Sequence, residues 1–154
     1  MNAIEFLKTD HQVVEELFNK VEATEDSEHP AIFTKIKEAL DAHAHIEETI
    51  FYPKLKEEGN EELADVTKEG IEEHHQIKIF LKEIEGLADE SEKFEPKLKV
   101  LMEDVRHHVK EEEGEMFPEV KSQFSSDVLD ELGAALEAEK KAFEKSETSK
   151  SQAS

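Results

Sequence analysis

Apolar residues recur every three or four positions along most of the chain, which is the spacing of one face of an α-helix. Glycine and proline are few, and no stretch alternates apolar and polar residues as a half-buried strand does. The pattern therefore predicts an all-α protein. Its first helix should extend from about Ala3 to Ala23. The residues on the apolar face of this helix are Ile4, Leu7, His11, Val14, Phe18 and Val21.

Three further helices follow, and each places polar residues within its apolar face. The second begins near Pro30 and is disturbed near Pro53, the third follows the segment KEEGNEE, and the fourth extends to Pro118. The polar residues on these apolar faces are His43, Glu47, His74, His108 and Glu112. Four helices of similar length with short connections predict an up-down-up-down four-helix bundle over residues 1–122.

The chain beyond the bundle has a different composition. A short additional C-terminal helix is expected over residues 123–145, packing on the bundle or extending from it, with the segment SSD as its N-cap. Its apolar residues are Val128, Leu132, Leu136 and Phe143. The last residues, 146–154, are polar and low in complexity, which predicts a disordered tail.

Composition narrows the classes of function. The 154 residues suffice for one domain with a single core, and 40 acidic against 19 basic residues give a formal charge of −21. This charge disfavours nucleic acid and anionic membranes and attracts cations, so no partner of either kind is expected. The absence of cysteine excludes thiolate ligands and disulfides. With no signal-like or membrane-spanning apolar run in the sequence, we expect a cytoplasmic protein. Its oligomeric state is not indicated.

One pattern of three residues occurs twice with identical offsets: histidine, glutamate and proline at 43, 47 and 53, and again at 108, 112 and 118. Residues four apart on a helix lie roughly 6 Å apart along the axis and about 40° apart around it, so each His/Glu pair points toward one place. Each pair follows a helix with one histidine in its apolar face, His11 or His74. Two helical hairpins related by a pseudo-twofold axis would bring all six residues to the centre.

Such a cluster favours a bound metal, because unpaired carboxylates in a bundle core are costly. Six nitrogen and oxygen donors without sulfur are too many for one tetrahedral zinc ion, and imidazole suits calcium and magnesium poorly. Two ions fit better, with glutamates from facing helices bridging them, and iron or manganese is the natural pair. The sequence does not sort the histidines between the two ions.

The chain resembles the hemerythrin-like (HHE cation-binding) domain family over roughly residues 3 to 120, and the segments EETIFYPKL and HHVKEEEGEMFPEV are similar to its two characteristic stretches. The resemblance implies a non-haem di-iron centre, bridged by two carboxylates and an oxo or hydroxo group. It also implies reversible or redox handling of dioxygen (O2), peroxide, nitric oxide (NO) or iron itself. The ordered pattern that carries the resemblance is His11, His43-x-x-x-Glu47, His74 and His108-x-x-x-Glu112.

The sequence departs from the family pattern at one position. Oxygen-carrying hemerythrins place a second histidine four residues before the third-helix ligand, where this chain has Gly70. Either a nearby group replaces that histidine or the position stays open to water or an exogenous ligand. The candidate replacements are Tyr52, Glu69 and Glu73. An open, less nitrogen-rich iron should favour turnover or sensing over a pure carrier role.

Other residues leave alternatives open. A single histidine in an apolar face is ordinarily a core residue, so the metal hypothesis depends on the whole set. His74 is preferred to His75 because it shares the apolar face, His45 should face solvent or a neighbouring helix, and His107 should lie on the flank. Glu48 and Glu113 adjoin candidate ligands and are placed to orient an imidazole, and His29 has no assigned role.

Three classes of function remain. The first is a di-iron protein that binds or redox-processes a small oxidant. Only turnover of peroxide or nitric oxide would make it an enzyme, an oxidoreductase, and the sequence does not decide between binding and turnover. The second is a non-enzymatic iron or oxygen sensor, or a metal store, whose metal loading stabilises the fold. The third and weakest is a metal-free acidic helical adaptor.

Overall fold

The computed structural model describes residues 1–153, with side chains described for residues 1–150, and this part of the chain is helical without a β-strand. The helices are α1 (Ala3–Glu22), α2 (His29–Ile46), α3 (Tyr52–Glu58), α4 (Glu61–Glu85), α5 (Phe94–Glu111), α6 (Phe117–Gln123) and α7 (Ser126–Ala153). A short 3-10 turn, Asp26–Glu28, precedes α2. Among the described residues, no helix is both long and apolar enough to cross a membrane.

The predicted all-α bundle with an additional C-terminal helix is confirmed. Helix α1 packs against α2, and α4 packs against α5, so the bundle consists of two hairpins. The long second and fourth helices of the prediction each continue through a wider turn into a short helix, α3 or α6. Helix α7 lies against α1 and α2. Side chains of Asn2 and Asn60 cap α1 and α4 by accepting hydrogen bonds from the Glu5 and Leu63 amides, both at 2.9 Å.

Two apolar clusters fill the bundle on either side of the predicted polar residues. One cluster contains Leu7 and the contact surface of α7, and the other contains Val14 and the far ends of the two hairpins. His11 lies between Leu7 and Val14 on α1, so it occupies the layer between the clusters. Each fully buried aliphatic or aromatic side chain contributes about 1.5–3 kcal/mol, which supports a polar layer that is costly by itself.

The repeated triplet produces a repeated distortion of the helix. A π-helical turn covers Glu47–Phe51 and a second covers Glu112–Met116, and each begins at the glutamate and ends two residues before the proline. Proline has no N–H and its ring collides with the carbonyl four residues earlier, so the regular ladder must widen there. The wide turn rotates the residue before each proline, which is Tyr52 or Phe117, relative to an ideal helix.

Helix α7 is longer than predicted. It begins after Ser125, whose hydroxyl accepts a hydrogen bond from the Val128 amide, and it continues to Ala153. Residues 146–153, predicted as disordered, are therefore its last turns, and residue 154 lies outside the described residues. The chain after Gly133 contains no glycine or proline to end the helix, so helix propensity continues through the polar residues.

Candidate metal centre

The structure brings the six predicted side chains into one buried layer. The Nε2 atom of His43 lies 3.0 Å from Glu47 Oε1, and that of His74 lies 3.1 Å from the same oxygen. The Nε2 atom of His11 lies 3.1 Å from Glu112 Oε1. The Nε2 atom of His108 lies 3.4 Å from Glu112 Oε2. All six residues are buried.

The donor atoms form two adjoining groups that share both glutamates, and in each group the donors lie within 4.8 Å of one another. This arrangement sorts the histidines, which the sequence did not. We call the first group the first half-site, which consists of His11, His43, Glu47 and Glu112. The second half-site consists of His74, His108, Glu47 and Glu112.

Several buried polar atoms of this layer have no hydrogen-bond partner. They are the Nε2 atoms of His11 and His43, both carboxylate oxygens of Glu47 and Oε1 of Glu112. His11 Nε2 and His43 Nε2 lie 3.1 and 3.0 Å from a glutamate oxygen, yet neither forms a hydrogen bond. Two ligand atoms each about 2.1 Å from a transition-metal ion, at right angles, lie about 3 Å apart. The observed separations match that value, so the residues fit a metal ion, and a cation would satisfy atoms that otherwise cost several kcal/mol.

Each of the four central histidines directs its other ring nitrogen, Nδ1, at a carboxylate. The four pairs, with their Nδ1–oxygen distances, are His11–Glu113 at 2.6 Å, His43–Asp10 at 2.9 Å, His74–Glu48 at 2.9 Å and His108–Glu73 at 2.7 Å. A carboxylate in this position fixes the ring tautomer, so that Nε2 presents its lone pair to a metal. Glu48 and Glu113 thus each orient an imidazole, which is the role that the sequence analysis considered for them. Glu73 contacts the ring of His108 and is not one of the donors of either half-site.

The outer carboxylates follow the same pseudo-twofold relation as the central residues. Asp10 and Glu73 each precede a central histidine in sequence, and each binds the histidine of the other helix in its own hairpin. Glu48 and Glu113 each follow a shared glutamate and bind a histidine of the opposite hairpin. The sequence analysis missed Asp10. Its signal was the pair Asp10–His11, which matches Glu73–His74 at the equivalent position of the second hairpin.

Tyr52, one of the candidate replacements for the missing histidine, points into the second half-site. Its side chain is fully buried, its hydroxyl donates a hydrogen bond to Glu112 Oε2 at 2.5 Å, and its oxygen lies 3.2 Å from His74 Nε2. A Cβ atom at Gly70 would lie 3.4 Å from this hydroxyl. Tyr52 therefore occupies the space beside Gly70. Burial and then the charges of Glu112 and Glu47 raise the pKa of Tyr52 well above its usual range, and a bound cation acts in the opposite direction.

The remaining candidates lie outside the centre. Glu69 is exposed, so the structure does not bring it to the site. His75 is also exposed, whereas His74 is buried at the centre. His107 is exposed and pairs with Glu111 at 3.0 Å. His45 faces a neighbouring helix, as one of the two expectations had it: it contacts Glu139 of α7 at 2.8 Å.

His29 has a structural role that sequence analysis did not assign. It is buried at the start of α2, where Nδ1 contacts Glu95 at 2.6 Å and Nε2 donates to the Val21 carbonyl at 2.8 Å. Although Asp26, His29 and Glu95 form a third cluster of metal-type donors, both ring nitrogens of His29 are already used. Burial lowers the pKa of His29, but the hydrogen bond and charge of Glu95 outweigh burial and raise it.

The central carboxylates also hold protons on the histidines when no metal is bound. Burial lowers the pKa of His108, but its contacts with Glu112 and Glu73 outweigh burial and raise the pKa to about 10. A metal ion requires the neutral ring, so metal and protons compete for His108. Metal binding at this centre should therefore weaken as the pH falls.

A small cavity of about 30 Å³ adjoins the histidine side of the centre. The central histidines form one wall, and the rest is mainly aliphatic, with Val14, Leu40, Ile77, Leu81, Val105 and Val109 among the lining residues. Asp41 and Lys78, both partly exposed, are its charged lining residues. The space suits a ligand of two or three atoms and provides few hydrogen-bond partners for water.

A helical bundle with a buried cluster of histidine and glutamate donors around unpaired polar atoms defines a metal-binding class of protein. The particular family follows from comparison. The family model described as "Hemerythrin HHE cation binding domain" matches residues 2–120, and the chain belongs to this family. The resemblance inferred from the spacing of histidines and glutamates is thus confirmed.

Two individual proteins illustrate the relationship. A hemerythrin HHE cation binding domain-containing protein from Mycobacterium kansasii is 28% identical, with a TM-score of 0.79 over 95% of this chain and 89% of that one. A protein named DNA nickase from Nostoc sp. (strain PCC 7120) is 26% identical over 144 residues. That match includes 91% of this chain but only 39% of the nickase, so this chain spans well under half the length of that relative.

Proposed function

We propose that the protein is a non-haem di-iron protein that binds or redox-processes a small oxidant, namely dioxygen, peroxide or nitric oxide. The observation that carries the proposal is the pair of half-sites with two shared glutamates, in which five buried donor atoms lack hydrogen-bond partners. Iron in these half-sites would supply one-electron redox chemistry and an acceptor for a small ligand.

The choice of iron rests on the donors and on the family. Two imidazoles and two carboxylates per half-site, without sulfur, suit iron or manganese better than calcium or magnesium. Two carboxylates shared between facing helices are the arrangement with which helical bundles hold metal pairs. Family membership adds cation binding, and the di-iron form is the one implied by the resemblance of the motifs.

The surroundings support a small oxidant as ligand. The aliphatic walls of the cavity limit the volume available at the histidine side and exclude larger substrates. Outer carboxylates keep the four imidazoles oriented, so the centre needs little rearrangement when a ligand binds or an electron is transferred. The chain's own residues thus position the metal and exclude bulk water.

The second half-site has the group best placed to replace the missing histidine. We infer that Tyr52 is an additional ligand or a hydrogen-bond donor at that half-site, because its hydroxyl lies within 3.2 Å of both Glu112 and His74. An oxygen donor in place of an imidazole stabilises the ferric state, which favours turnover or sensing over reversible carriage of oxygen. Glu73 instead belongs outside the donor groups, where it orients His108.

A second candidate is a non-enzymatic iron or oxygen sensor, or a metal store. The unpaired buried atoms favour it, because they link the stability of the bundle to metal loading. A partner would then distinguish the loaded from the unloaded protein. Nicking of DNA is not carried over from the Nostoc relative, since this chain spans 39% of that protein and has a formal charge of −21.

The test is reconstitution with ferrous iron under anaerobic conditions, followed by exposure to air. We expect about two irons per chain and near-ultraviolet charge-transfer absorption, and His43→Ala should reduce the iron content. His107→Ala, which removes an exposed histidine, is the matched control and should keep the wild-type content. Two results would contradict a metal centre at these residues: wild-type protein that acquires no iron, or a His43→Ala variant that binds as much iron as wild type.

Assays of peroxide loss and nitric oxide consumption then separate the two candidates. Turnover by the iron-loaded protein that is lost in His43→Ala supports an oxidant-processing enzyme. No turnover, together with a large fall in melting temperature on chelation, supports the sensor or store. Reversible binding of dioxygen for hours without oxidation would overturn the inference drawn from Gly70 and Tyr52.

A further inference from the structure

Helix α7 lies outside the matched segment of residues 2–120, yet it reaches the candidate metal centre through one carboxylate. Lys140 Nζ on α7 binds Asp10 Oδ1 at 2.7 Å. The other oxygen of Asp10 binds His43 Nδ1 at 2.9 Å. Two consecutive contacts therefore join α7 to a donor of the first half-site.

Asp10 differs from the other three carboxylates that bind central histidines. Its side chain is 7% exposed, whereas those of Glu48, Glu73 and Glu113 are 29%, 31% and 35% exposed. Water can solvate the three glutamates directly. Asp10 depends instead on protein contacts, and a buried carboxylate without a compensating cation is strongly unfavourable. Lys140 provides that cation from a separate helix.

The position of Lys140 is fixed by contacts on both sides of it along α7. On the N-terminal side, a Cβ atom at Gly133 would overlap the Met1 carbonyl oxygen, so the backbones of α7 and of the residues before α1 are in direct contact there. On the other side, the ring of Phe143 stacks on His45 with centroids 4.5 Å apart, and Glu139 binds the same histidine. Lys140 is thus part of a packed interface.

We propose that Lys140 is a positioning residue of the metal centre: it holds Asp10, and through Asp10 the ring of His43, so that docking of α7 strengthens metal binding in the first half-site. The inference rests on the proposed function, because it concerns the affinity of the same centre. Helix α7, which begins beyond the matched family segment, would then contribute to metal affinity.

The experiment measures the release of iron from fully loaded protein to a strong chelator. The loss of near-ultraviolet absorption reports the rate of release. In Lys140→Met, which keeps an unbranched side chain of nearly the same length and removes its charge, we expect one of the two irons to leave about 10-fold faster than in wild type. Lys140→Arg should restore slow release because it keeps the cation. Lys141→Met is the matched control, since Lys141 is 76% exposed and its one ion pair among the described residues is with Glu137 of its own helix.

Lys78→Met provides the comparison with the second half-site, because Lys78 binds Glu48 at 2.6 Å while 48% exposed. Its effect on release should be smaller, since water can solvate Glu48 when the lysine is absent. If Lys140→Met does not fold by circular dichroism, Lys140→Gln replaces it, because glutamine keeps a hydrogen-bond donor without the charge.

The outcomes separate this inference from the function on which it rests. Wild-type protein without iron would refute the proposed function itself. Wild-type protein with two irons, and release from Lys140→Met at the wild-type rate, would refute only the role of Lys140. Equal acceleration of both irons, with the same fall in melting temperature in metal-free and loaded protein, would also refute it, because that result indicates general destabilisation.

Discussion

The two half-sites have equivalent candidate ligands but different neighbours. Four residues before its first-helix histidine, the first half-site has Leu7, and the second has Gly70. Before the proline that ends each repeat, the chain has Phe117 on the first side and Tyr52 on the second. The ring of Phe117 lies parallel to His11 with centroids 6.0 Å apart, whereas the Tyr52 hydroxyl binds Glu112.

If the centre binds two ions as proposed, this difference would make the two ions unlike despite the symmetric repeat. The repeat supplies the histidines, the glutamates, the outer carboxylates and both π-helical turns in duplicate. Two substituted positions then give the second half-site an extra oxygen and leave the first with only apolar additions. The second half-site should therefore favour the more oxidised ion.

Removal of a glutamate shared by both half-sites should have the largest effect, because neither half-site would then hold iron tightly. Because Glu47 belongs to both half-sites, Glu47→Gln should lose both irons, with a fall in affinity of more than about 100-fold. Iron content and chelator competition measure the effect. The control is Glu48→Gln, which changes the adjacent carboxylate that only orients His74 and should cost less. A variant Glu47→Gln that retained one tightly bound iron would show that the two half-sites do not share this residue.

The sequence predicted that the histidines and glutamates share one buried layer, because helical periodicity determines which residues share a face. Positions 43 and 47, like 108 and 112, lie on one face of any helix, and the matched offsets indicated two hairpins. The direction of Tyr52 was not predictable in this way. It depends on the π-helical turn at Glu47–Phe51, whose width follows from both Pro53 and the packing around it.

Contacts between helices that are distant in sequence are harder still to predict from the sequence. Asp10 lies next to a recognised ligand, but its partner His43 and its cation Lys140 come from two other helices. The role of His29 is not predictable from periodicity, because it depends on how the 3-10 turn directs its ring to the Val21 carbonyl near the end of α1. Periodicity gives the face of a helix and does not give its neighbour.

Exchange of the unlike aromatic residues should make the two half-sites more alike. Tyr52→Phe removes the hydroxyl that binds Glu112, and we expect about 10-fold weaker retention of one iron. If the phenolate is a ligand of ferric iron, a visible absorption band should also disappear. Phe117→Tyr is the matched change in the first half-site. Wild-type retention in Tyr52→Phe, with an unchanged spectrum, would contradict a role for this hydroxyl.

Substitution of Gly70 tests whether the second half-site needs a small residue there to make room for Tyr52. Gly70→Leu copies the first half-site, but its side chain would collide with the Tyr52 hydroxyl, and we expect a loss of about 1–3 kcal/mol of unfolding free energy in the metal-free protein. Gly70→Ala is the control, since its Cβ would make an ordinary 3.4 Å contact and alanine favours a helix by up to about 1 kcal/mol. Denaturant unfolding of both variants measures these changes. Equal stability of the two variants would refute the steric explanation.

The smallest effect concerns His29, which contacts a carboxylate through Nδ1 as the central histidines do but lies outside both half-sites. Since Glu95 raises the pKa of His29, the pair stabilises the fold fully below the unfolded-state pKa of about 6.5, and the contribution is lost as the pH rises through the folded-state pKa. Glu95 is 37% exposed, so screening limits the effect of Glu95→Gln to about 1 kcal/mol at pH 6. At pH 9 the loss should be smaller. Glu92→Gln removes the same charge from an exposed neighbouring position and should show no such pH dependence.

Because both ring nitrogens of His29 are occupied, added iron should leave the effect of Glu95→Gln unchanged. Protection by iron at this pair would show that a histidine bound to a carboxylate suffices for metal binding, without the free Nε2 atoms that distinguish the centre.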